Sequence, residues 1–336
     1  MIRVIRKVSS RIQAKTLLEP EFGFGGQIIF NNGKSLFFRD KLYNINYVGS
    51  ADIAQDKSLT NYLLKTAGYK VPEECTFFRH DQLSKINIKR DIHAGFSYAQ
   101  KLGFPVILKP VDLSQGKLVV KVHNKREYYS AAKQIFKSNR ILIIQRFYPG
   151  RDYRILVLNG EVVAAYERIP LSLTGDGHSS IKELLRNKQE VLVRNGRDVS
   201  ISEDDFRIKA KLARQTLALD SVLSAGDTIY PLDNANLSTG GNAVDITASL
   251  HVDFYRLAVE ITKTMKLKFC GVDVITDDLM GPLRDYIVLE VNGEPGLFHY
   301  YSLGEKQALA VEDIYLKILR IMENEDLFGS SETARG

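Results

Sequence analysis

Three oxygen-bearing side chains stand near the C-terminal end of the chain. Asp273 lies in Gly271-Val272-Asp273-Val274, and Glu290 and Asn292 lie in Leu289-Glu290-Val291-Asn292-Gly293-Glu294-Pro295-Gly296. Side chains alternate across a strand, so Glu290 and Asn292 share one face, Leu289 and Val291 the other, and Asp273 points away from Val272 and Val274. A hairpin of the two segments lets the three converge. Two carboxylates and a carboxamide form a hard oxygen site suited to Mg2+, with the remaining positions left to water and phosphates. The competing reading is a solvated sheet face. Asp and Asn are depleted in strands, and here they sit among apolar neighbours, which favours the metal.

Other segments offer phosphate and ligand chemistry. Lys109 ends the apolar run Val106-Ile107-Leu108 and is held by Pro110, a good position for a phosphate contact. The loop Asp112-Leu113-Ser114-Gln115-Gly116-Lys117 follows, and backbone N–H groups in such a loop can cap phosphate oxygens. The spacing is not that of the Gly-x-x-x-x-Gly-Lys-Ser/Thr loop, and a surface lysine before an ordinary turn is the alternative. Gln145-Arg146-Phe147-Tyr148-Pro149-Gly150-Arg151-Asp152-Tyr153-Arg154 joins two strands through an extended linker, and ligands favour such junctions. In Asn236-Leu237-Ser238-Thr239-Gly240-Gly241, paired glycines behind small hydroxyl residues let backbone approach a ligand closely. Gly175-Asp176-Gly177-His178-Ser179-Ser180 reads as structural, with Ser179 or Ser180 capping a helix that carries Glu183 in its first turn. Arg207, Lys209 and Lys211 read as one solvated basic helix face, with reach into the site as the alternative.

The elements that must position these residues follow from periodicity and punctuation. Residues 1–50 read as short strands and turns, with a hairpin turn at Asn31-Asn32-Gly33-Lys34. Helices are expected over 56–68, Ile92–Leu102, Arg126–Lys137, from Ile181, Asp253–Met265 and Val311–Asn324. Strands are expected at Cys75–Phe78, Val106–Lys109, Leu118–Val122, Ile141–Gln145, Cys270–Thr276 and Tyr286–Val291, with a hairpin of Arg154–Val157 and Val162–Glu167 about Asn159-Gly160. Residues 196–206 read as a surface loop and Phe328–Gly336 as a disordered tail. Mixed strands and helices without strict alternation indicate α+β layers.

Composition excludes several classes. The chain has 336 residues, which suggests two or three domains. Its two cysteines cannot form a disulfide framework and point to a reducing, cytoplasmic setting. No apolar run approaches the ~20 residues of a membrane span, and no apolar stretch follows the basic start to make a secretion signal. The six histidines are scattered, which gives no zinc pattern. A net charge of +6 suits an anionic ligand such as a nucleotide, while the absence of like-charge blocks argues against nucleic acid as a partner.

Taken in order, these pieces resemble the ATP-grasp superfamily of ligases, and among its peptide-forming members the glutathione-synthetase half of fused bacterial enzymes and the ATP-grasp part of cyanophycin synthetase. The resemblance runs from about Gly49 to Asn324 and rests on Gly-Asp-Gly before the Ser180-Ile181-Lys182-Glu183-Leu184 helix, Asn236–Gly241, and Glu290–Gly296. It implies a short N-terminal domain (1–92) followed by two α+β lobes gripping ATP, a small lobe with a lid (93–150) and a large lobe with the metal and substrate site (151–327). Lys57 and Lys109 would hold nucleotide phosphates, under a lid of Ser114, Gln115, Gly116 and Lys117. Gln145, Arg146 and Phe147 would line the adenine, Gln145 reading its amino group, and Asp152 would meet the ribose. Arg154 and Arg168, with Lys109, would stabilise the transferring phosphoryl group. Asp273, Glu290 and Asn292 would hold two Mg2+ ions, with Mn2+ able to substitute, and Asn236, Ser238, Gly240 and Gly241 would border the substrate.

The activity so implied joins a carboxylate to an amine through an acyl-phosphate, on amino acids or short peptides, in a protein without membrane partners that is often a homodimer. Two other readings stay open: modification of a ribosomally made peptide or protein, and a non-catalytic nucleotide-binding regulator. The sequence departs from the family at Gln145, where a glutamate is usual, in a lid with Gly116 as its one glycine, and in residues 1–50, which are shorter than the usual N-terminal domain.

Overall fold

The computed structural model describes residues 1–40, 42–86, 88–111 and 116–325. Ser114, Gln115 and the expected tail Phe328–Gly336 therefore lie outside the described residues. Contacts divide the chain into two units, Met1–Val48 together with the chain from Gly296 on, and Gly49–Pro295.

The smaller unit begins with α1 (Ile2–Arg11) and an antiparallel sheet of β1 (Lys15–Leu18), β2 (Gly25–Ile29), β3 (Ser35–Arg39) and β4 (Leu42–Tyr43) in that order. The turn at Asn31–Lys34 joins β2 to β3, and the Phe30 N–H donates to Lys34 O across it. Helix α1 departs from the strands expected here. Its β-branched run reads as a strand locally, but Val4, Ile5 and Val8 share one helical face and are buried, and tertiary packing overrides the local preference.

The larger unit begins with α2 (Val48–Gln55) and α3 (Lys57–Thr66). Asp56 caps α3, its side chain accepting from the Ser58 and Leu59 N–H groups. Next come β5 (Glu74–Phe78), α4 (His80–Ile86), α5 (Ile92–Leu102), β6 (Val106–Pro110), β7 (Val120–Val122), α6 (Lys125–Ser138) and β8 (Ile141–Arg146). The four strands form one antiparallel sheet in the order β5-β8-β6-β7. One face, with Phe77, Val106, Leu108, Leu142 and Ile144, packs on Ala99 of α5 and on Tyr128, Ala132 and Ile135 of α6. Alternation sends Glu74, Lys109 and Gln145 to the other face.

A second, five-stranded antiparallel sheet runs β13-β10-β9-β14-β15. Its strands are β9 (Arg151–Leu158), β10 (Glu161–Ile169), β13 (Asn242–Asp245), β14 (Phe269–Thr276) and β15 (Ile287–Asn292). Between β10 and β13 the chain inserts β11 (Leu173–Thr174), α7 (Ile181–Arg194), α8 (Phe206–Arg214) and β12 (Thr228–Ile229), with their own core of Leu173, Ile181, Leu185, Ile208 and Leu212. The sequence shows the 196–206 loop and marks α8 only by the basic face of Arg207, Lys209 and Lys211, its buried residues being the pair Ile208 and Leu212 one turn apart.

Helix α9 (Val252–Thr264) covers one face of the large sheet, where Phe254, Ala258 and Ile261 meet Tyr153, Ile155, Val157, Val272, Val274 and Val291. A β-bulge places Leu289 between the pairs Asp273↔Glu290 and Val274↔Val288. Val288 and Val291, three residues apart, can then both enter the core while Glu290 keeps to the opposite face. Finally, α10 (Phe298–Tyr301) and α11 (Glu305–Asn324) return to the smaller unit, where buried Glu312 of α11 pairs with Lys7 at 2.6 Å and Arg11 at 3.6 Å. Among the described residues no helix is long and apolar enough to cross a membrane, and Cys75 and Cys270 are both free.

Candidate active site

The face of the large sheet turned away from α9 carries a charged cluster beside the buried side chains of Leu156 and Tyr166. The register aligns Arg154 of β9, Asp273 of β14 and Glu290 of β15 in one row. Arg168 of β10 and Asp152 of β9 face each other in the next. Arg154 grips Asp273 with two parallel hydrogen bonds, Nε to Oδ1 at 2.6 Å and Nη2 to Oδ2 at 2.7 Å. Arg168 Nη2 adds a third to Asp273 Oδ2 at 2.9 Å and donates to Asp152 Oδ1 at 2.6 Å. Gly271 gives Arg154 its room, since a β-carbon there would stand 3.3 Å from Arg154 Cδ. Burial alone would lower the pKa of both guanidinium groups, but Asp273, with Glu290 beside Arg154 and Asp152 beside Arg168, raises it.

Glu290 and Asn292 lie beside this cluster. Arg154 Nη2 is 3.7 Å from Glu290 Oε1, to which Asn292 Nδ2 donates at 3.1 Å. Burial works to raise the Glu290 pKa, but Lys57, Arg154 and the Asn292 hydrogen bond outweigh it and hold it at about 2. The three residues expected to bind metal therefore do converge. Both oxygens of Asp273 already accept from arginines, whereas Glu290, 29% exposed, and Asn292 present hard oxygens at the edge of the cluster. Among the described residues no group of three His, Cys, Asp or Glu side chains forms a metal cluster. Two acids and one amide still fit a hard divalent cation held chiefly by Glu290 and Asn292, with Asp273 shared with the arginines.

A second cluster lies on the small sheet. Lys109 Nζ donates to Gln145 Oε1 and stands 3.5 Å from Glu74 Oε2. Glu74 sits directly across from Gln145 in the β5–β8 pair. Burial raises the Glu74 pKa, a rise partly offset by Lys109 and Lys57. Sequence reading missed Glu74, because Pro72-Glu73-Glu74 reads as solvent-facing; the one available signal was its place two residues before Thr76, on the same strand face. Lys57 Nζ donates to the Val111 carbonyl at 3.2 Å, and its charge acts on both Glu74 and Glu290, so α3 links the two clusters. Phe147 carries Lys121 over its ring at 3.6 Å. Arg146 turns to Glu73 and the Leu102 carbonyl, which leaves only its backbone toward the cluster.

The 236–241 segment reaches the Arg168 end of the sheet, because Asn242 and Ala243 of β13 pair with Ile169 and Arg168. Its glycines serve the chain itself. Gly240 takes a left-handed φ of 88°, and a β-carbon at Gly241 would stand 2.8 Å from the carbonyl oxygens of Asn236 and Ile169. Buried Arg197, which the sequence did not single out, donates from Nη2 to the carbonyls of Leu237 and Gly241, each at 2.7 Å. Gly116 of the expected lid lies against the Asn234 and Asn236 side chains, and its carbonyl accepts from Arg207 Nη1 at 2.7 Å. Arg207 is therefore not simply solvated. Lys211 pairs with Asp233, and Lys209 with exposed Asp204. Asp176 accepts from the His178 and Ser179 N–H groups, and Ser180 and Glu183 form a capping box on α7, the structural role expected of this motif.

The model of the RimK-like ATP-grasp domain matches residues 54–187 and 231–311, more than half of the chain and spanning both clusters. The chain belongs to the RimK-like ATP-grasp family. This ATP-grasp chain is 34% identical over 267 residues to cyanophycin synthetase of Geminocystis herdmanii, a match covering 76% of this chain and 29% of that protein. It is 29% identical over 277 residues to the glutathione biosynthesis bifunctional protein GshAB of Pasteurella multocida, covering 78% of this chain and 35% of that protein. The ATP-grasp chain thus spans about a third or less of the length of these relatives. Its fold is α+β and matches the crystal structure of a bifunctional glutathione synthetase from Pasteurella multocida with a TM-score of 0.59, over 95% of this chain and 44% of that one, at 22% identity.

Proposed function

We propose that the chain is an ATP-dependent carboxylate–amine ligase acting on amino acids or short peptides. The observation that carries this reading is the pair of guanidinium groups, Arg154 and Arg168, fixed on Asp273 beside Glu290 and Asn292. A substrate carboxylate oxygen attacks the γ-phosphorus of ATP. The bond from that phosphorus to the β–γ bridging oxygen breaks, and ADP departs from an acyl-phosphate. The amine nitrogen then attacks the acyl carbon, inorganic phosphate leaves, and the nitrogen loses a proton.

Phosphoryl transfer spreads negative charge over several oxygens, so catalysis is positioning and charge stabilisation. Arg154 and Arg168 already face the site with their geometry set by Asp273, and need little reorganisation when that charge develops. Lys109 and Lys57 bring positive charge for the phosphates from the small sheet and α3. Mg2+ held at Glu290, Asn292 and Asp273 would neutralise phosphate charge; two ions, with Mn2+ as a substitute, belong to the same reading. No covalent enzyme nucleophile is required, in keeping with a Cys270 thiol that burial pushes up to about 12.

A small lobe carrying the lid and a large lobe carrying the metal and substrate groups are the working division; the expected bounds of 93–150 and 151–327 need correction, because the four-stranded sheet takes in Glu74–Phe78 and the chain from Gly296 groups with Met1–Val48. Two free cysteines support a cytoplasmic setting, and the resemblance alone supports a homodimer. The test is phosphate release from MgATP with single amino acids, pairs and short dipeptides, using Glu290→Gln as the blank. Release that requires a particular pair, absent in the variant, is the expected result. ATP binding without release from any pair would sink the small-molecule ligase.

A further inference from the structure

We infer that α8 is a clasp between the two sheets of the larger unit: Arg207 and Arg214 are positioning residues that tie the β7 edge of the small sheet to the chain inserted between β10 and β13, and so set how long a nucleotide stays bound. The inference rests on the reading of this site as a nucleotide site and adds to it the control of release.

Arg207, Lys211 and Arg214 recur at the i, i+4, i+7 spacing that lines up one helix face. That face is engaged, and its two arginines are built alike. Arg207 gives Nε and Nη2 to the Asp205 carboxylate, at 3.0 and 2.6 Å. Its Nη1 is left for the Gly116 carbonyl, at 2.7 Å, in the turn that leads into β7. Arg214 Nη2 donates to Asp233 Oδ2 at 3.4 Å, on a carboxylate that Lys211 also holds. Its Nη1 donates to Glu127 Oε2 in the first turn of α6, at 3.2 Å. Each guanidinium is thus oriented and neutralised by an acid of its own inserted segment, and its remaining N–H reaches the small sheet or the helix packed on it.

The apolar side chains repeat this division. Ile208 and Leu212 enter the core of the inserted segment, whereas Phe206, with Leu118, packs against the core of the small sheet. The fit is close at the Arg207 end. Gly116 takes a left-handed φ of 66°, and a β-carbon there would stand 2.6 Å from Asn234 Nδ2, so only glycine comes this near. A solvated basic helix requires none of these contacts. Lys109 belongs to the small sheet, and Arg154 and Arg168 to the large one. A nucleotide held by both sets of cations leaves when the sheets part. β7 is the outer strand of the small sheet, and the two arginine contacts beside it must break for that parting. They form after entry and are lost before exit, so their removal acts on dissociation.

Stopped-flow binding of a fluorescent ATP analogue with Mg2+ to the whole protein gives kon and koff separately, with melting curves to confirm folding. Arg207→Ala and Arg214→Ala should each raise koff about tenfold, the scale of one hydrogen bond from a charged group, and leave kon within about twofold. Glu127→Gln should raise koff as Arg214→Ala does, and the double variant should release no faster than either single one. Lys209→Ala, whose partner Asp204 is exposed, should match the wild type. Unchanged koff in both arginine variants would overturn the inference. So would a loss of affinity that enters through kon, the mark of charges that only steer an anion, or additive effects of Arg214→Ala and Glu127→Gln. A wild type that binds no nucleotide would instead refute the nucleotide-site reading on which the inference stands.

Discussion

Asp273 anchors two buried guanidinium groups with a single carboxylate. Removing one member of a buried ion network leaves uncompensated charge. Asp273→Asn should therefore lower unfolding stability by about 3–5 kcal/mol, read by denaturant titration. Glu290, at 29% exposure, is not locked between two guanidinium groups as Asp273 is. Glu290→Gln should lose turnover and still fold, with a lowered melting temperature at neutral pH; normal activity in that variant would end its assignment.

The two acids also differ in sign with pH. The folded pKa of Glu290 is held at about 2, below its ordinary value of 4.5. Its stabilisation is therefore present above 4.5 and lost as pH falls toward 2. The folded pKa of Glu74 is raised above 4.5, so folding is favoured at acid pH and that share is lost as pH rises through the raised value. Melting temperatures across pH should show Glu290→Gln flattening the acid limb, and Glu74→Gln gaining on the wild type as pH rises.

Among the elements, the 236–241 segment depends on Arg197, which holds it through two backbone carbonyls. Arg197→Ala should raise KM for the carboxylate or amine substrate while leaving nucleotide affinity unchanged; a loss shared by both would mean a general loosening of the large sheet. Elements with strong local signals were legible in the sequence. Helix α5 matches its expected bounds because Asp91 caps it and Gly103 with Pro105 ends it. The convergence of Asp273, Glu290 and Asn292 was legible because strand alternation constrains side-chain direction. What long-range packing decides was not legible. Helix α1 looks like a strand until Val4, Ile5 and Val8 find a core, and Arg197 and Glu74 owe their roles to residues 35 or more positions away.

For the molecule as a whole, the excess of positive charge matches a polyanionic ligand. A nucleotide that binds only the folded chain should raise unfolding stability by about 2.7 kcal/mol at a hundredfold excess over Kd, seen as a concentration-dependent melting shift with an ATP analogue and Mg2+. No shift at any concentration would contradict the proposed site. The large sheet also bears on how such a chain can change over generations. In β9 and β14 the residues that face α9 and those that face the arginine cluster alternate one by one. An insertion or deletion of a single residue within either strand would exchange the two faces, driving charge into the core and stripping the cluster. Lineages carrying this sheet can swap side chains and lengthen the 170–180 or 196–236 segments, but the residue count of these central strands is locked, and one extra codon there costs fold and chemistry together.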